Sequence, residues 1–165
     1  MLYFGRIKNI REDYDMTQTE MANILNVNRS TYSLWELAVN IIPLPNLYDY
    51  ADYFNISVDY LLGLTNDKKS KRNYKRLNLK RLGSNIRKVR LKNQLSQEDV
   101  AKILGVTQAC ISKIEKGLIC ISTVNLYKFC KEFNVSLDNI LGQEKNSKLA
   151  TKAVKEKDIY LETTR

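Results

Sequence analysis

An internal repeat constrains this chain more than any other feature of its sequence. Residues 3–63 align with residues 82–142 without a gap, and 19 of the 61 aligned pairs are identical. In the clearest stretch, NLYDYADYFNISVDYLLG stands against NLYKFCKEFNVSLDNILG. A repeat of this length indicates two copies of one small structural unit. Each copy has about 60 residues, a size that can fold on its own.

Both copies carry the signals of short helices. In the second copy, Ser96 and Thr107 are N-cap residues, and Gly105 between them predicts a tight turn. In the first copy, Thr17 and Glu20 have the spacing of a capping box. Strand patterns are absent from the sequence, so we predict an all-α fold with five short helices in each copy. The apolar positions predicted to face the core of the second copy include Leu82, Ile86, Val89, Val100, Ile103, Leu104, Ile111 and Ile114.

The composition excludes several classes of function. The sequence contains no histidine, which removes histidine-based nucleophile systems and zinc sites built on imidazole. Its six glycines form neither a dinucleotide-binding fingerprint nor a P-loop. No apolar run approaches the ~20 residues that span a bilayer, and the N-terminus lacks the core of a signal peptide. We therefore expect a cytoplasmic protein that is not an enzyme, needs no cofactor or metal and does not associate with a membrane.

Charge is distributed unevenly along the chain. Residues 1–66 hold four Lys and Arg against eight Asp and Glu, a net −4. The connector 67–79 carries +5, residues 80–145 carry +6, and the tail 146–165, which has the pattern of a short helix, carries +2. This division predicts an acidic first domain, a basic linker and a basic second domain. The total of +9 points to a polyanionic partner, of which nucleic acid is the commonest.

The predicted second and third helices have the spacing of a helix-turn-helix, with glycine in the turn between them. In residues 96–117, the pattern S-Q-x-x-x-A-x-x-L-G-V-T-Q-x-x-I-S-K-I-E-K-G closely resembles the Cro/cI-type (XRE) DNA-binding domain of phage repressors and bacterial regulators. FNVSLDNILG at 133–142 resembles the fifth helix of that family. The resemblance implies two tandem five-helix lambda-repressor-like DNA-binding domains, joined by the basic linker.

For the second copy, the resemblance implies a sequence-specific transcription regulator, a repressor, whose third helix reads the major groove of double-stranded DNA. Gln108 would then pair with adenine, Ala109 would contact a thymine methyl group, and Lys113 would reach guanine or phosphate. Because one such domain reads only a short half-site, the resemblance also implies a homodimer. The DNA-binding residues that it implies in this copy are Gln97, Thr107, Gln108, Ala109, Ser112, Lys113 and Lys116.

One pair of charged residues occurs in both copies at the same spacing. Arg90 and Glu115 of the second copy align with Arg11 and Glu36 of the first. The resemblance implies that each pair forms a partly buried salt bridge, which holds the third helix against the first.

The first copy keeps the framework but differs at the predicted DNA-binding surface. Gln18, Arg29 and Ser30 occupy the DNA-contact positions, with Arg29 aligned to Gln108. The excess of acidic residues disfavours binding to a duplex, because such binding is driven largely by phosphate neutralisation. We therefore consider two interpretations of this copy, weak DNA contact and binding to a protein partner or a second copy.

Aromatic residues give the second interpretation its support. Ten of the fifteen aromatic residues of the chain lie in the first copy. Tyr14, Tyr53 and Tyr60 align with polar residues of the second copy and are therefore expected to be exposed. Exposed tyrosines are enriched at protein interfaces. One specific form of this alternative is an antitoxin, which binds a toxin and represses its own operon.

Overall fold

The computed structural model describes residues 5–69 and 76–141. The predicted tail helix at 146–165 lies outside these residues. Within them the chain forms ten α-helices, and the only β structure is an isolated bridge between Ile56 and Lys69. The prediction of an all-α fold with five helices in each copy is confirmed.

The first unit comprises α1 (Gly5–Asp13), α2 (Gln18–Ile24), α3 (Arg29–Glu36), α4 (Leu44–Phe54) and α5 (Val58–Leu61). The second unit comprises α6 (Leu79–Lys92), α7 (Gln97–Leu104), α8 (Gln108–Glu115), α9 (Thr123–Glu132) and α10 (Leu137–Leu141).

The helix ends form where the local sequence predicts them. The Thr17 hydroxyl accepts a hydrogen bond from the backbone N–H of Glu20, and the Glu20 carboxylate accepts one from the N–H of Thr17, which completes the capping box. Ser96 forms the same arrangement at the start of α7, and the Thr107 hydroxyl caps α8. Gly105 ends α7 in the left-handed conformation, with φ of +70°. These contacts satisfy backbone groups that a helix end leaves unpaired.

The turns of the two units also correspond. Non-glycine residues rarely adopt positive φ, yet several do so here, and each has a positive-φ counterpart 79 positions away. The two units therefore share their loop conformations as well as their helices. The corresponding pairs are Asp15 with Gln94, Asn26 with Gly105, Ala38 with Gly117, and Asn55 with Asn134.

The buried apolar residues of both units belong to one continuous cluster, which is more aromatic in the first unit. Tyr32, Tyr48 and Tyr50 are almost fully buried there, and the Tyr50 hydroxyl donates to the carbonyl of Ile7 at 2.6 Å. Phe129 is the corresponding large buried side chain of the second unit.

Two predictions of exposure from the sequence are wrong. Tyr14 and Tyr53 are each 53% exposed, as expected, but Tyr60 is half-buried because the Arg6 guanidinium covers its ring at 4.3 Å. Ile103 is 39% exposed, although the pattern predicts it in the core. Val100 and Leu104 fill the buried side of α7, and Ile103 falls beside it on the outer side.

Part of the predicted linker packs against the first unit. The carbonyl of Lys68 accepts a hydrogen bond from the N–H of Ser57 at 3.0 Å. The ammonium group of Lys68 lies 3.3 Å from the carboxylate of Asp13. The isolated bridge to Ile56 holds Lys69 on the same unit.

None of the helices in residues 5–69 and 76–141 combines the length and the apolar character that crossing a membrane requires.

Candidate nucleic-acid interface

The third helix of the second unit, α8, buries one side and exposes the other. Ile111 and Ile114 point into the core, whereas Gln108, Ala109 and Lys113 are exposed. Gly83 of α6 fixes this orientation, because a Cβ at that position would come within 2.1 Å of the carbonyl oxygen of Ile114. The glycine therefore allows the two backbones to cross closely, and the outer side of α8 faces solvent.

A buried ion pair joins the first and third helices of this unit. Arg90 Nε donates to Glu115 Oε1 at 2.6 Å, and Arg90 Nη2 donates to Glu115 Oε2 at 3.0 Å. The side chains are only 9% and 3% exposed. Arg90 also donates to the carbonyl of Leu95 at 2.8 Å, in the turn before α7. Two parallel bonds of this kind fix direction as well as distance, so the pair sets the position of α8.

The ion pair continues into a chain of hydrogen bonds that reaches the surface. Gln97 Nε2 donates to Glu115 Oε2 at 2.9 Å, and Gln108 Nε2 donates to Gln97 Oε1 at 2.7 Å. Gln97 is half-buried, and its amide nitrogen is directed inward to Glu115. The buried carboxylate thereby orients the exposed amide of Gln108 through one intervening glutamine.

Glu115 is ionised in this setting. Burial by itself would raise the pKa of its carboxyl group, but the hydrogen bonds from Arg90 and Gln97 and the charge of Arg90 outweigh that effect and lower the pKa below its usual value. An ionised carboxylate is the acceptor that both donors require. Glu36 of the first unit has a lowered pKa for the same reasons, with Arg11 and Gln18 as the donors.

The first unit repeats this framework. Arg11 Nε donates to Glu36 Oε1 at 2.7 Å, Arg11 Nη2 donates to Glu36 Oε2 at 3.1 Å, and Gln18 Nε2 donates to Glu36 Oε2 at 2.9 Å. Arg29 and Ser30 are exposed at the start of α3. The inward contact of the glutamine is therefore a feature of both units. Its sequence signal is that Gln18 and Gln97 recur together with the charged pair.

The remaining predicted residues of the second unit lie along α8 and at its ends. The hydroxyl of Thr107, which is exposed, caps the helix, Ser112 is half-buried on it, and Lys116 is exposed at its C-cap. Gly117 follows with φ of +69°, and a Cβ there would lie 2.6 Å from the Cα of Lys80. The start of α6 therefore packs against the loop after α8, which brings the backbone of exposed Lys80 close to the C-terminal end of α8.

The surface that surrounds the third helix differs between the units. Lys113 and Lys116 of the second unit correspond to Leu34 and Leu37 of the first, and Leu37 is 67% exposed. The loop that follows also exposes Val39 and Ile41. The corresponding loop of the second unit exposes Leu118 and Ile119 as well, so the units differ at the positions of the two lysines.

Comparison with known proteins identifies this framework. The helix-turn-helix family model matches the chain twice, at residues 7–61 and 86–140, which together are well over half of its length. The chain is 34% identical over 64 residues to the antitoxin PezA of Streptococcus pneumoniae, covering 39% of this chain and 40% of that protein. It is 33% identical over 66 residues to the HTH-type transcriptional regulator YobD of Bacillus subtilis, covering 40% of this chain and 59% of that protein. The chain thus matches less than two thirds of the length of each relative.

Solved structures of regulators resemble parts of the chain. The clp gene regulator ClgR of Corynebacterium glutamicum aligns with a TM-score of 0.39 and 22% identity, covering 52% of this chain and 89% of that one. The restriction-modification controller protein C.AhdI of Aeromonas hydrophila aligns with a TM-score of 0.36 and 25% identity, covering 38% of this chain and 96% of that one. With both copies matched by the family model, the chain belongs to the helix-turn-helix family of XRE type, whose members are regulators rather than enzymes.

Proposed function

We propose that this protein is a sequence-specific, DNA-binding transcription regulator that acts as a repressor, and that α8 enters the major groove of its operator. The observation that carries the proposal is the outer side of α8. It presents an amide, a methyl group and an ammonium group, and the one carboxylate of the helix, Glu115, is buried in its ion pair. A polar surface without exposed negative charge is what an approach to phosphate requires.

The side chains of α8 fall into two groups by what they would contact. Gln108 offers paired donor and acceptor atoms to adenine, Ala109 offers a methyl contact to thymine, and Lys113 reaches guanine or phosphate. The residues that would contact the phosphate backbone and fix the register are Thr107, Ser112, Lys116 and Gln97, the last through backbone N–H groups at the start of α7 because its side chain is directed to Glu115. In the structure Gln108 is already held by Gln97, so part of the ordering cost of the contact is met before binding.

Selection of bound sequences from a random duplex library tests the proposal. The full-length protein is used at moderate salt, with Gln108→Ala as the matched variant. The wild type should enrich a defined motif, and the variant should lose preference at one base pair of it. If the protein retains DNA of every sequence in a salt-sensitive manner and no motif is enriched, sequence-specific binding is contradicted. A reporter placed downstream of the enriched motif then tests repression, which requires expression to fall when the protein is present.

A second candidate function is binding of a protein partner by the first unit, as an antitoxin binds its toxin. The similarity to the antitoxin PezA favours it, and so does Leu37, which is exposed where the second unit has Lys116. In that case the protein should form a complex with the product of a neighbouring gene, and this product should be toxic when it is expressed alone. The complex should withstand high salt and should survive Gln108→Ala, because the partner would not contact α8.

A further inference from the structure

We infer that the two units of one chain are arranged like the two subunits of a dimer, related by an approximate two-fold axis. One chain then presents α3 and α8 together to a single operator with two unlike half-sites. This inference rests on the proposed function.

Reciprocal hydrogen bonds between the units carry the inference. Asp59 Oδ1 accepts a hydrogen bond from the N–H of Leu137 at 2.9 Å, and Asp138 Oδ1 accepts one from the N–H of Val58 at 2.8 Å. In the internal repeat, Asp59 aligns with Asp138 and Val58 aligns with Leu137. Exchanging the two units therefore converts one contact into the other. Such reciprocity is the property of a two-fold interface, whereas head-to-tail packing joins two different surfaces.

These contacts close the helix ends that face each other. Val58 begins α5 and Leu137 begins α10, so each aspartate satisfies an unpaired N–H at the start of the other unit's last helix. Asp59 also accepts hydrogen bonds from Ser136 Oγ at 2.6 Å and from the N–H of Asp138 at 3.0 Å. Both aspartates are more than nine-tenths buried. A buried carboxylate with several donors fixes the relative orientation of the two units strongly, because losing the donors would leave a buried charge unsatisfied.

A second contact lies beyond the two short helices. The buried hydroxyl of Thr123, at the start of α9, donates to the carbonyl of Ile42 just before α4 at 2.7 Å. Cys130 of α9 is buried in the same region, where burial and the charge of Asp59 both raise the pKa of its thiol. The first unit thus contacts the second at two helices: α9 through Thr123, and α10 through hydrogen bonds and its packing with α5.

The two-fold relation determines how the recognition helices are displayed. A two-fold axis preserves height along itself, so α3 and α8 lie at the same level. It also preserves the component of direction along itself, and the inference requires that the outer sides of both helices are directed along the axis. Helix-turn-helix dimers use this arrangement to place two recognition helices in successive major grooves. The tethered arrangement supplies the second helix without a second chain, at the effective concentration of an intramolecular contact.

The acidic character of the first unit does not prevent α3 from facing DNA. Its outer positions include Arg29, Ser30 and Ser33, and its one carboxylate, Glu36, is buried against Arg11. Asp59 lies in the interface between the units. These two carboxylates of the first unit therefore do not lie on the outer side of α3.

The two half-sites should differ at a defined position. Gln108 suits adenine, whereas Arg29, which occupies the corresponding place in α3, presents a guanidinium group that pairs with guanine. The operator should therefore carry A·T in one half-site where the other carries G·C. The second unit, which has the cationic surroundings, should contribute most of the affinity.

The stoichiometry of the selected complex tests the inference. The full-length protein is bound to the enriched duplex, and the mass of the complex is measured by native mass spectrometry. Two unlike blocks with one chain per duplex would support the inference. A palindrome bound by two chains would overturn it and leave the proposed function intact. The absence of any enriched motif would overturn both.

Variants of the interface supply an independent test. The double substitution Asp59→Asn and Asp138→Asn places amide groups opposite backbone N–H donors, and Asp52→Asn on the exposed side of α4 is the matched control. The affinity for the complete operator should fall about tenfold in the double variant, because the units lose their fixed orientation. The affinity for the isolated second half-site should not change. Equal losses on both duplexes, or no loss on the complete operator, would overturn the inference.

A surface variant covers the case in which the double variant does not fold. Arg29→Ala changes no contact in the core, and it should weaken binding to the complete operator roughly 5- to 150-fold by loosening the preference at one position of the first half-site. Unchanged affinity and an unchanged selected motif would show that α3 does not contact the operator.

Discussion

The two units of this chain share the buried ion pair that joins their first and third helices, and they differ on the surface around the third helix. The buried ion pairs have nearly the same length, 2.7 Å between Arg11 and Glu36 and 2.6 Å between Arg90 and Glu115. In contrast, Lys113 and Lys116, which are exposed on and after the third helix of the second unit, are replaced by Leu34 and Leu37 in the first. A buried charge without its partner is costly, whereas an exposed side chain can change with little effect on folding. The buried ion pair is therefore retained in both units because its loss would destabilise the fold. The exposed residues can differ between the units, and each surface can bind a different partner.

Among these predictions, removal of the buried carboxylates should have the largest effect, and it should lower the stability of both units. Glu115→Ala leaves the Arg90 guanidinium buried without its counter-charge, and Glu36→Ala does the same to Arg11. Each should reduce the free energy of unfolding by about 3–5 kcal/mol, measured by urea denaturation. The exposed Glu98→Ala is the control, and it should change stability by less than about 0.5 kcal/mol. Unchanged stability in Glu115→Ala would show that the pair does not hold α8.

Exchange of the two base-reading side chains should invert the difference between the half-sites. In the double variant Arg29→Gln and Gln108→Arg, the guanine preference should move from the first half-site to the second. Each side chain should discriminate its base by about 1–3 kcal/mol, measured by competition binding with duplexes altered in one half-site at a time. The prediction fails if the preferences stay where they were, since other residues would then read those positions.

Exchange of the flanking side chains should change the electrostatic part of binding. Lys116→Leu should reduce the slope of log affinity against log salt by about 0.9 if the lysine contacts one phosphate, and Leu37→Lys should increase it by a similar amount. Binding titrations at several salt concentrations measure both slopes. Lys131→Leu on α9 is the matched control, and it should leave the slope unchanged. An unchanged slope in Leu37→Lys would mean that the loop after α3 does not lie beside the duplex.

The helix caps should give the smallest effects, and these should be equal in the two units. Ser96→Ala and Thr17→Ala each remove a hydroxyl that caps the helix before the recognition helix, at a cost of about 1 kcal/mol in unfolding free energy. Ser84→Ala on the exposed side of α6 is the control, because Ser84 caps no helix and alanine favours helical structure. Thermal unfolding followed by circular dichroism would detect a difference between the two caps, which would contradict the equivalence of the frameworks.

The sequence by itself determined the features that depend on nearby residues. The repeat, the ten helices of the described residues, the caps at Thr17, Ser96 and Thr107 and the turn at Gly105 all follow from local spacing, because a cap or a turn is formed by residues within a few positions of one another. The family resemblance was recognised from the same local patterns, and the family model matches both copies.

Tertiary structure decided the contacts between residues that are distant in the chain. Gln97 is directed to Glu115 rather than outward, Arg6 covers Tyr60, and Asp59 and Asp138 cap each other's helices across some 80 positions of sequence. Helical periodicity gives the face on which a residue lies, but the partner that it meets depends on how whole helices cross. For that reason the sequence predicted two units of one fold, and the packing of α5 against α10 supplied their relative orientation.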